Sequence, residues 1–141
     1  MNGQLVEFAI RSLRLKVDDL PDDGTFNGQI LVNHHLQIGK KKAAKTGLML
    51  LTTTIELVDG DRGDLSPLQA SIRSLAVYTT PAPATAEEVG DEHSMAPMMH
   101  NATSMTYARL LQVLQDADVR VALPYPTFKV TFSASPTNQP K

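Results

Sequence analysis

The stretch LMLLTTTIELV, residues 48–58, decides the fold class, because it joins aliphatic and β-branched residues in a run of strand length. The central run Thr52-Thr53-Thr54-Ile55 is mostly β-branched. The acidic, glycine-containing segment 59–64 follows at once, and its glycines can adopt the positive φ angles that tight turns need. The stretch therefore predicts a β-strand that ends in a tight turn.

Three further strands are predicted around this one, at residues 5–17, 26–38 and 66–80. Within 5–17 the apolar residues change parity after Ile10, and since strand side chains alternate with period two, this change predicts a bulge near Arg11-Ser12. Consecutive strands joined by loops favour an antiparallel meander as the simplest arrangement.

The second half of the chain predicts helices. Pro81-Ala82-Pro83-Ala84 forms a stiff hinge, and Thr85 is a suitable cap for a short helix that Gly90 and Pro97 limit. A second helix is predicted to begin between Asn101 and Ser104 and to stop near Asp116, because acidic residues are unfavourable at a helix C-terminus. Its apolar stripe is Tyr107, Leu110, Leu111 and Leu114.

Strands first and helices afterwards indicate the α+β class. We expect a four-stranded antiparallel sheet, followed by a crossover and two helices packed on one face. The alternation of Phe128, Val130 and Phe132 with polar residues predicts a closing strand after the helices. The length of 141 residues suits a single domain, predicted at 1–134, with a flexible tail at 135–141.

The composition excludes several functional classes. Cysteine is absent, which rules out disulfide frameworks, thiolate zinc sites and cysteine nucleophiles. The net charge of -2 gives no general attraction to nucleic acid or anionic lipid. No apolar run approaches the roughly 20 residues of a membrane span, and residues 1–4 carry no basic signal region. A cytoplasmic location is the resulting expectation.

Neither catalysis nor metal binding is predicted. His34 and His35 are adjacent in a strand, so their rings point to opposite faces and cannot bind one metal ion. His93 and His100 show no ligand spacing. The acidic residues gather in turns, where solvation explains them, so the expectation is a protein without catalytic residues, metal or cofactor.

A basic connector, residues 39–47, contains Lys40, Lys41, Lys42 and Lys45. The order of a phosphate-binding loop fails here, because no glycine precedes Lys45-Thr46. The cluster is open to two interpretations: a contact with nucleic acid or an acidic partner, or a solvated loop whose lysines discourage edge pairing. The second is favoured, since the interleaved aromatic residues of a single-strand binder are missing.

A methionine cluster surrounds Pro97 and comprises Met95, Met98, Met99 and Met105. Methionine is flexible and polarisable, and it is common where a surface must accept varied apolar partners. Core packing between helix and sheet is the more frequent use of such residues. Both interpretations hold together if the segment lies over the core with one side open.

The C-terminal third resembles the SecB family of export chaperones. Tyr107-Ala108-Arg109 lies at the start of the long predicted helix, and Val121-Ala122-Leu123-Pro124 follows about a dozen residues later and continues as Tyr125-Pro126-Thr127-Phe128. In SecB proteins a Tyr-x-Arg in a long helix precedes a short extended segment with Leu-Pro or Phe-Pro. Two departures mark the chain as divergent: Thr106 replaces the proline usual before the tyrosine, and methionines replace the aromatic residues typical around the crossover. SecB-like chaperones of toxin-antitoxin systems are similar in pattern.

The resemblance implies a holdase that binds unfolded polypeptides in apolar grooves without ATP. It implies a homotetramer, built as a dimer of dimers, that serves protein export or protects an antitoxin. Tyr107 and Arg109 are expected to hold the helix against its surroundings. By position, the groove residues are expected to be Met95, Met98, Met99, Tyr125 and Phe128.

The translocase motor SecA docks on acidic positions of the SecB sheet, so a similar partner surface is expected here. Its residues by region are Glu56, Asp59, Asp61 and Asp64. Two other functional classes stay open. One is a structural or assembly protein, such as a phage component, and the other is a weak nucleic-acid binder that works through the basic connector.

Overall fold

The computed structural model describes residues 4–17, 25–26, 29–39, 47–58, 68–80, 92–117, 120–121 and 128–135. Within these ranges the chain forms seven strands and one helix. In chain order they are β1 (Gln4–Val17), β2 (Thr25–Phe26), β3 (Gln29–Gly39), β4 (Gly47–Val58), β5 (Leu68–Thr80), α1 (Glu92–Asp116), β6 (Arg120–Val121) and β7 (Phe128–Ser135). The α+β class predicted from the sequence is confirmed.

The main sheet has five strands in the order β1-β5-β4-β3-β7, and β2 and β6 form a separate parallel pair. The first three neighbouring pairs are antiparallel, whereas β7 lies parallel to β3. The predicted four-stranded antiparallel sheet is therefore wrong in two respects. Only β3, β4 and β5 form a meander, because β1 pairs with β5 at the far edge, and β7 adds a fifth strand in the other direction.

Two register shifts in β1 keep its apolar side chains on one face of the sheet. They lie between Leu5 and Glu7 and between Ile10 and Ser12, so Val6 and Arg11 are the additional residues. The bulge predicted near Arg11-Ser12 is confirmed. Because of the two bulges, apolar residues at both odd and even positions of β1 lie opposite residues of β5 that face the helix. These β1 residues are Leu5, Phe8, Ile10, Leu13 and Leu15.

The helix α1 runs without interruption from Glu92 to Asp116 and contains Pro97. The predicted helix start between Asn101 and Ser104 is wrong by about two and a half to three turns. The predicted limit at Pro97 is also wrong, because α1 continues through it. Residues 85–91, where the predicted short helix begins, lie outside the described residues. A proline within a helix costs about 3 kcal/mol. Burial of three methionines against the sheet, at about 1.5–3 kcal/mol each, outweighs that cost. The predicted end at Asp116 is confirmed, and the Ala117 amide donates to the carbonyls of Val113 and Leu114.

The core lies between α1 and one face of the sheet, which we call the helix face, and it falls into two apolar clusters. The first cluster packs the C-terminal half of α1 through Leu110 and Leu114. Its strand residues are Ile30, Val32, Ile55, Leu57, Ala70 and Ile72. The second cluster packs the N-terminal half of α1. Its members are Leu36, Met49, Leu51, Ala76, Tyr78, Met95, Met98, Met99 and Ala102.

Candidate functional site

Three of the predicted groove residues lie in the second core cluster. The side chains of Met95, Met98 and Met99 are 0%, 6% and 7% exposed, and they pack between α1 and the sheet. This burial agrees with core packing, the more frequent of the two uses that the sequence left open for the methionine cluster. Met105 is half-buried. In this arrangement the three buried side chains present almost no surface to a bound polypeptide.

The other predicted site residues are distributed differently. Tyr125 lies outside the described residues, and of Phe128 the structure describes the backbone, which pairs with Ile30 at the start of β7. Glu56 is exposed on β4, on the face of the sheet that α1 does not cover. Asp59, Asp61 and Asp64 lie outside the described residues, as does the basic connector with its four lysines.

The Tyr-x-Arg segment is split between the two sides of α1. Tyr107 is half-buried and packs against the first core cluster. Arg109 is exposed, and its guanidinium donates to the side-chain oxygen of Gln112 at 3.5 Å. Tyr107 thus contacts the sheet side of the helix, as expected, whereas Arg109 contacts its own helix.

A row of polar residues separates the two core clusters beneath the middle of α1. His34, Thr53 and Ser74 are neighbours on β3, β4 and β5, and each is at most 1% exposed. The His34 ring bonds the hydroxyl of Thr53 through Nδ1 and that of Thr103 on α1 through Nε2, both at 2.9 Å. Burial lowers the pKa of His34 to about 4, so its ring is neutral at pH 7.

The second half of this row joins Ser74 to the helix. The hydroxyl of Thr106 donates to the carbonyl of Ala102 at 2.6 Å and lies 2.7 Å from the hydroxyl of Ser74. Because the single proton of Thr106 is used in the first contact, Ser74 is the donor in the second. A histidine and several threonines are visible at these positions in the sequence. No sequence signal indicates that they meet, since neither local spacing nor composition reports a contact across three strands.

The helix leaves apolar surface uncovered on both of its sides. It packs mainly on β4 and β5, so the edge strands extend beyond it on the helix face. On one side lies what we call the β1 shelf. It consists of Phe8, Ile10 and Leu15, which are half-buried, and Leu13, which is 43% exposed.

On the other side lies the β7 shelf. It consists of Val130, 49% exposed, and Phe132, which is half-buried against the second core cluster. The edges of the helix face thus carry solvent-accessible apolar side chains, and α1 runs between them.

The opposite side of the sheet, which we call the open face, is mostly polar. Asn33 and His35 of β3 lie there beside Thr131 and Ser133 of β7. The Thr131 hydroxyl donates to the Asn33 side-chain oxygen at 3.0 Å, and His35 Nδ1 lies 2.8 Å from the Ser133 hydroxyl. His34 and His35 therefore point to opposite faces of the sheet, as the sequence predicted.

In the part of the chain that the structure describes, no group of three or more histidine, cysteine or acidic side chains is placed to hold a metal ion. Within the same residues, no helix has the length and apolar character to cross a membrane.

Comparison with known proteins adds no relative: no family model, no curated protein and no solved structure matches the chain. The similarity to SecB chaperones therefore rests on the Tyr107–Phe128 segment and stays a prediction from the sequence.

Proposed function

We propose that this protein is a non-enzymatic holdase that binds extended segments of unfolded polypeptides without ATP. The observation that supports the proposal is the pair of apolar shelves on either side of α1. Exposed Leu13 and Val130 mark the two shelves, and half-buried aromatic rings lie beside them. Paired shelves along a helix suit an unfolded chain, which offers apolar side chains at irregular intervals and no folded surface to match.

The dimensions of the fold explain why the shelves exist. Five strands spaced by about 4.8 Å make a sheet about 20 Å wide between its edge strands, whereas a helix with its side chains is only about 10–12 Å across. One helix therefore cannot cover all five strands, and apolar side chains of the edge strands β1 and β7 stay partly exposed. In the proposal, one extended segment of a client lies along each of these edge strands.

The buried methionines contribute to this proposal indirectly. Met95, Met98 and Met99 fill the space between α1 and the sheet, so they support the helix that separates the two shelves. Methionine tolerates small shifts of its neighbours because its side chain is unbranched and flexible. In the proposal, client contacts are made by the shelf residues while the methionines let the helix adjust to different clients.

Client and assembly follow from the SecB resemblance and belong to the same proposal. The clients would be presecretory or antitoxin-like polypeptides, and the active form would be a homotetramer built as a dimer of dimers. Native mass measurement tests the assembly, and a stable monomer at all concentrations would contradict this part. Co-purified polypeptides, identified after denaturation, would give the client class.

Suppression of aggregation tests the holding activity itself. A chemically unfolded substrate protein is diluted into buffer with increasing amounts of this protein, without nucleotide, and light scattering is followed. We expect suppression near stoichiometric ratios. The double variant Leu13→Ser/Val130→Ser should need several-fold more protein for the same effect, since it removes one apolar side chain from each shelf.

Val6→Ser provides the matched control. Val6 is an exposed apolar residue of β1, 55% accessible, but it occupies a bulge outside both shelves. The Val6→Ser variant should suppress aggregation as the unaltered protein does. The proposal fails if a tenfold excess leaves aggregation unchanged, or if Val6→Ser is impaired as much as the double variant while both remain folded.

A further inference from the structure

The two edge strands of the main sheet differ in how well they are protected against pairing with other chains. β1 is interrupted by two bulges and carries four charged residues, Glu7, Arg11, Arg14 and Lys16. Bulges and charges are features by which natural sheets keep their edges from pairing. β7 lacks this protection, because its register with β3 is continuous over eight residues and Lys129 is its one charged residue.

The β7 strand is also accessible. It ends the order of the main sheet, and among the described strands it pairs with β3 alone. Val130 on the helix face is 49% exposed, and Thr131 and Ser133 on the open face are exposed as well. The strand sequence FKVTFSAS joins β-branched and aromatic residues, which favour extended structure. A regular, accessible edge with a single charge is a template for a further strand.

The sequence of β7 is complementary to itself when two copies run antiparallel. Directly opposed residues point to the same face of a sheet and side chains alternate along a strand, so a single residue must lie on the twofold axis between the copies. With Thr131 on the axis, Val130 lies opposite Phe132 of the second copy on the helix face, and the reverse pair follows by symmetry. Such pairs of aromatic and β-branched side chains stabilise strand pairing.

The charge of Lys129 also fits this register. Lys129 lies opposite Ser133 of the second copy on the open face, and the two copies of Lys129 are about 14 Å apart. Because this separation exceeds the screening length of about 8 Å at physiological ionic strength, their repulsion is weak. An axis at Val130 would bring the two lysines to about 8 Å, and an axis at Phe132 would place Val130 opposite the small side chain of Ala134. The register centred on Thr131 is therefore favoured.

We propose that two copies of this chain join through β7, paired antiparallel with Thr131 on the twofold axis. Two sheets of five strands then form one sheet of ten, with both α1 helices on the same side. This interface is closed, because each copy uses its β7 once and the outer edges of the joined sheet are both β1, which bulges and charges protect. Growth along the sheet therefore stops at two copies.

The joined sheet changes the apolar surface as well. Val130 and Phe132 of both copies meet at its centre, so the two β7 shelves become one apolar surface between the two helices, and each β1 shelf stays at an outer edge. The inference goes beyond the holding activity and stands without it. It also names one interface of the dimer of dimers proposed above.

The contact is narrow, which sets its expected strength. Eight residues at about 3.4 Å each give an edge about 27 Å long, and with a thickness of about 10 Å each copy contributes about 270 Å². This area is below the roughly 800 Å² of a standard interface, so main-chain hydrogen bonds supply much of the affinity. We therefore expect a reversible association that depends on protein concentration.

Sedimentation over a hundredfold range of concentration tests the interface. The mass of the unaltered protein should rise from that of one chain to that of two or more. Thr131→Lys and Thr131→Glu should each weaken self-association at least tenfold, because residue 131 then faces its own charge across the axis. An equal mixture of the two variants should associate at least as tightly as the unaltered protein. Ser12→Glu, at an exposed open-face position of β1, should change the association less than twofold.

Disulfide cross-linking tests the register directly, since the chain has no cysteine of its own. Directly opposed residues of antiparallel strands have Cα atoms about 4.5–5.5 Å apart, which a disulfide can span. Under mild oxidation Thr131→Cys should form a covalent dimer at least tenfold faster than Ser12→Cys. Deletion of residues 136–141 should leave the association unchanged, because a second copy covers the edge and not the segment that follows β7. Thermal unfolding verifies that each variant is folded.

Several outcomes would overturn the inference. The unaltered protein could remain a single chain at every concentration, or the mixed Thr131 variants could associate no better than each alone. Tighter association after deletion of residues 136–141 would mean that this segment occupies the edge. Suppression of aggregation by a protein in which Thr131→Cys does not cross-link would contradict the interface alone. A cross-linked dimer that leaves aggregation unchanged would support the interface and contradict the holding activity.

Discussion

The Nε2 atom of His34 lies 2.9 Å from the hydroxyl of Thr103, and this contact joins the third strand to the middle of α1. The imidazole holds two hydroxyls at once, because its Nδ1 atom bonds Thr53 on the neighbouring strand. A neutral ring has one donor and one acceptor nitrogen, so both contacts are satisfied without a buried charge. The packing of α1 on the sheet therefore depends on the protonation state of His34.

Stability is expected to fall as the medium is acidified through the range in which His34 titrates. The folded-state pKa of about 4 lies below the ordinary value of 6.5, so the unfolded chain binds the extra proton more readily between these two values. Above pH 6.5 the His34 ring is neutral in both states, so it does not lower the free energy of unfolding. Between pH 6.5 and pH 4 that free energy falls by about 3 kcal/mol, because only the unfolded chain takes up the proton.

Urea unfolding at pH 7.0 and pH 4.5 measures this loss. In His34→Gln the part of the loss that is due to His34 should disappear. The unfolding free energies at the two pH values should then differ less than in the unaltered protein. His100→Gln, at an exposed position of α1, should keep the full difference. Identical pH profiles for His34→Gln and the unaltered protein would contradict the assignment.

Removal of the Thr103 hydroxyl should destabilise the fold, although the volume of the side chain hardly changes. Thr103→Val leaves one nitrogen of the buried His34 ring without its hydroxyl partner, which costs about 1–3 kcal/mol. Thr103→Ser retains the hydroxyl and should cost less. Equilibrium unfolding of the pair isolates the hydrogen bond, and equal destabilisation by both substitutions would argue against it.

Loss of a methionine from the second core cluster should destabilise the protein strongly. Met95→Ala removes a side chain that is 0% exposed and should lower the unfolding free energy by about 2–5 kcal/mol. Met105→Ala, at a half-buried position on the same helix, should cost clearly less. If the two variants melt at the same temperature, Met95 is not packed as the structure has it.

The bulge in β1 predicts an unusual pair of deletion results. Deletion of Arg11 removes the additional residue and leaves Ile10 and Leu13 on the helix face, so the strand should stay paired at a cost of about 1 kcal/mol or less. Deletion of Arg14 instead moves Leu15 to the open face and Lys16 toward the helix face, which should cost at least about 2 kcal/mol. Urea midpoints of both deletions give the comparison, and the reverse ranking would place the bulge elsewhere.

Local patterns in the sequence predicted the strands, the bulge at Arg11 and the helix end at Asp116, because each depends on a few neighbouring residues. The pairing of the strands could not be predicted in this way. The alternation of Phe128, Val130 and Phe132 indicates a strand but not its partner, and its parallel pairing with β3 joins residues about a hundred positions apart.

The start of α1 was misplaced for a related reason. Pro97 is a local signal against a helix, whereas burial of the methionines is a tertiary effect that outweighs it. The same limit applies to the candidate site. The methionines were visible in the sequence, but the separation of the helix face into a covered centre and two exposed shelves depends on where β1 and β7 lie in the sheet.

The parallel pairing of β7 with β3 also sets the order in which the chain folds during synthesis. The hairpins between β3, β4 and β5 can form as soon as Thr80 has left the ribosome. The outer edge of β3 must then wait until Ser135 emerges, and at 5–20 residues per second that takes roughly 3–10 seconds. During this interval β3 offers an unpaired edge to other chains. Until β7 is complete, the nascent chain is therefore open to edge-to-edge association with other chains.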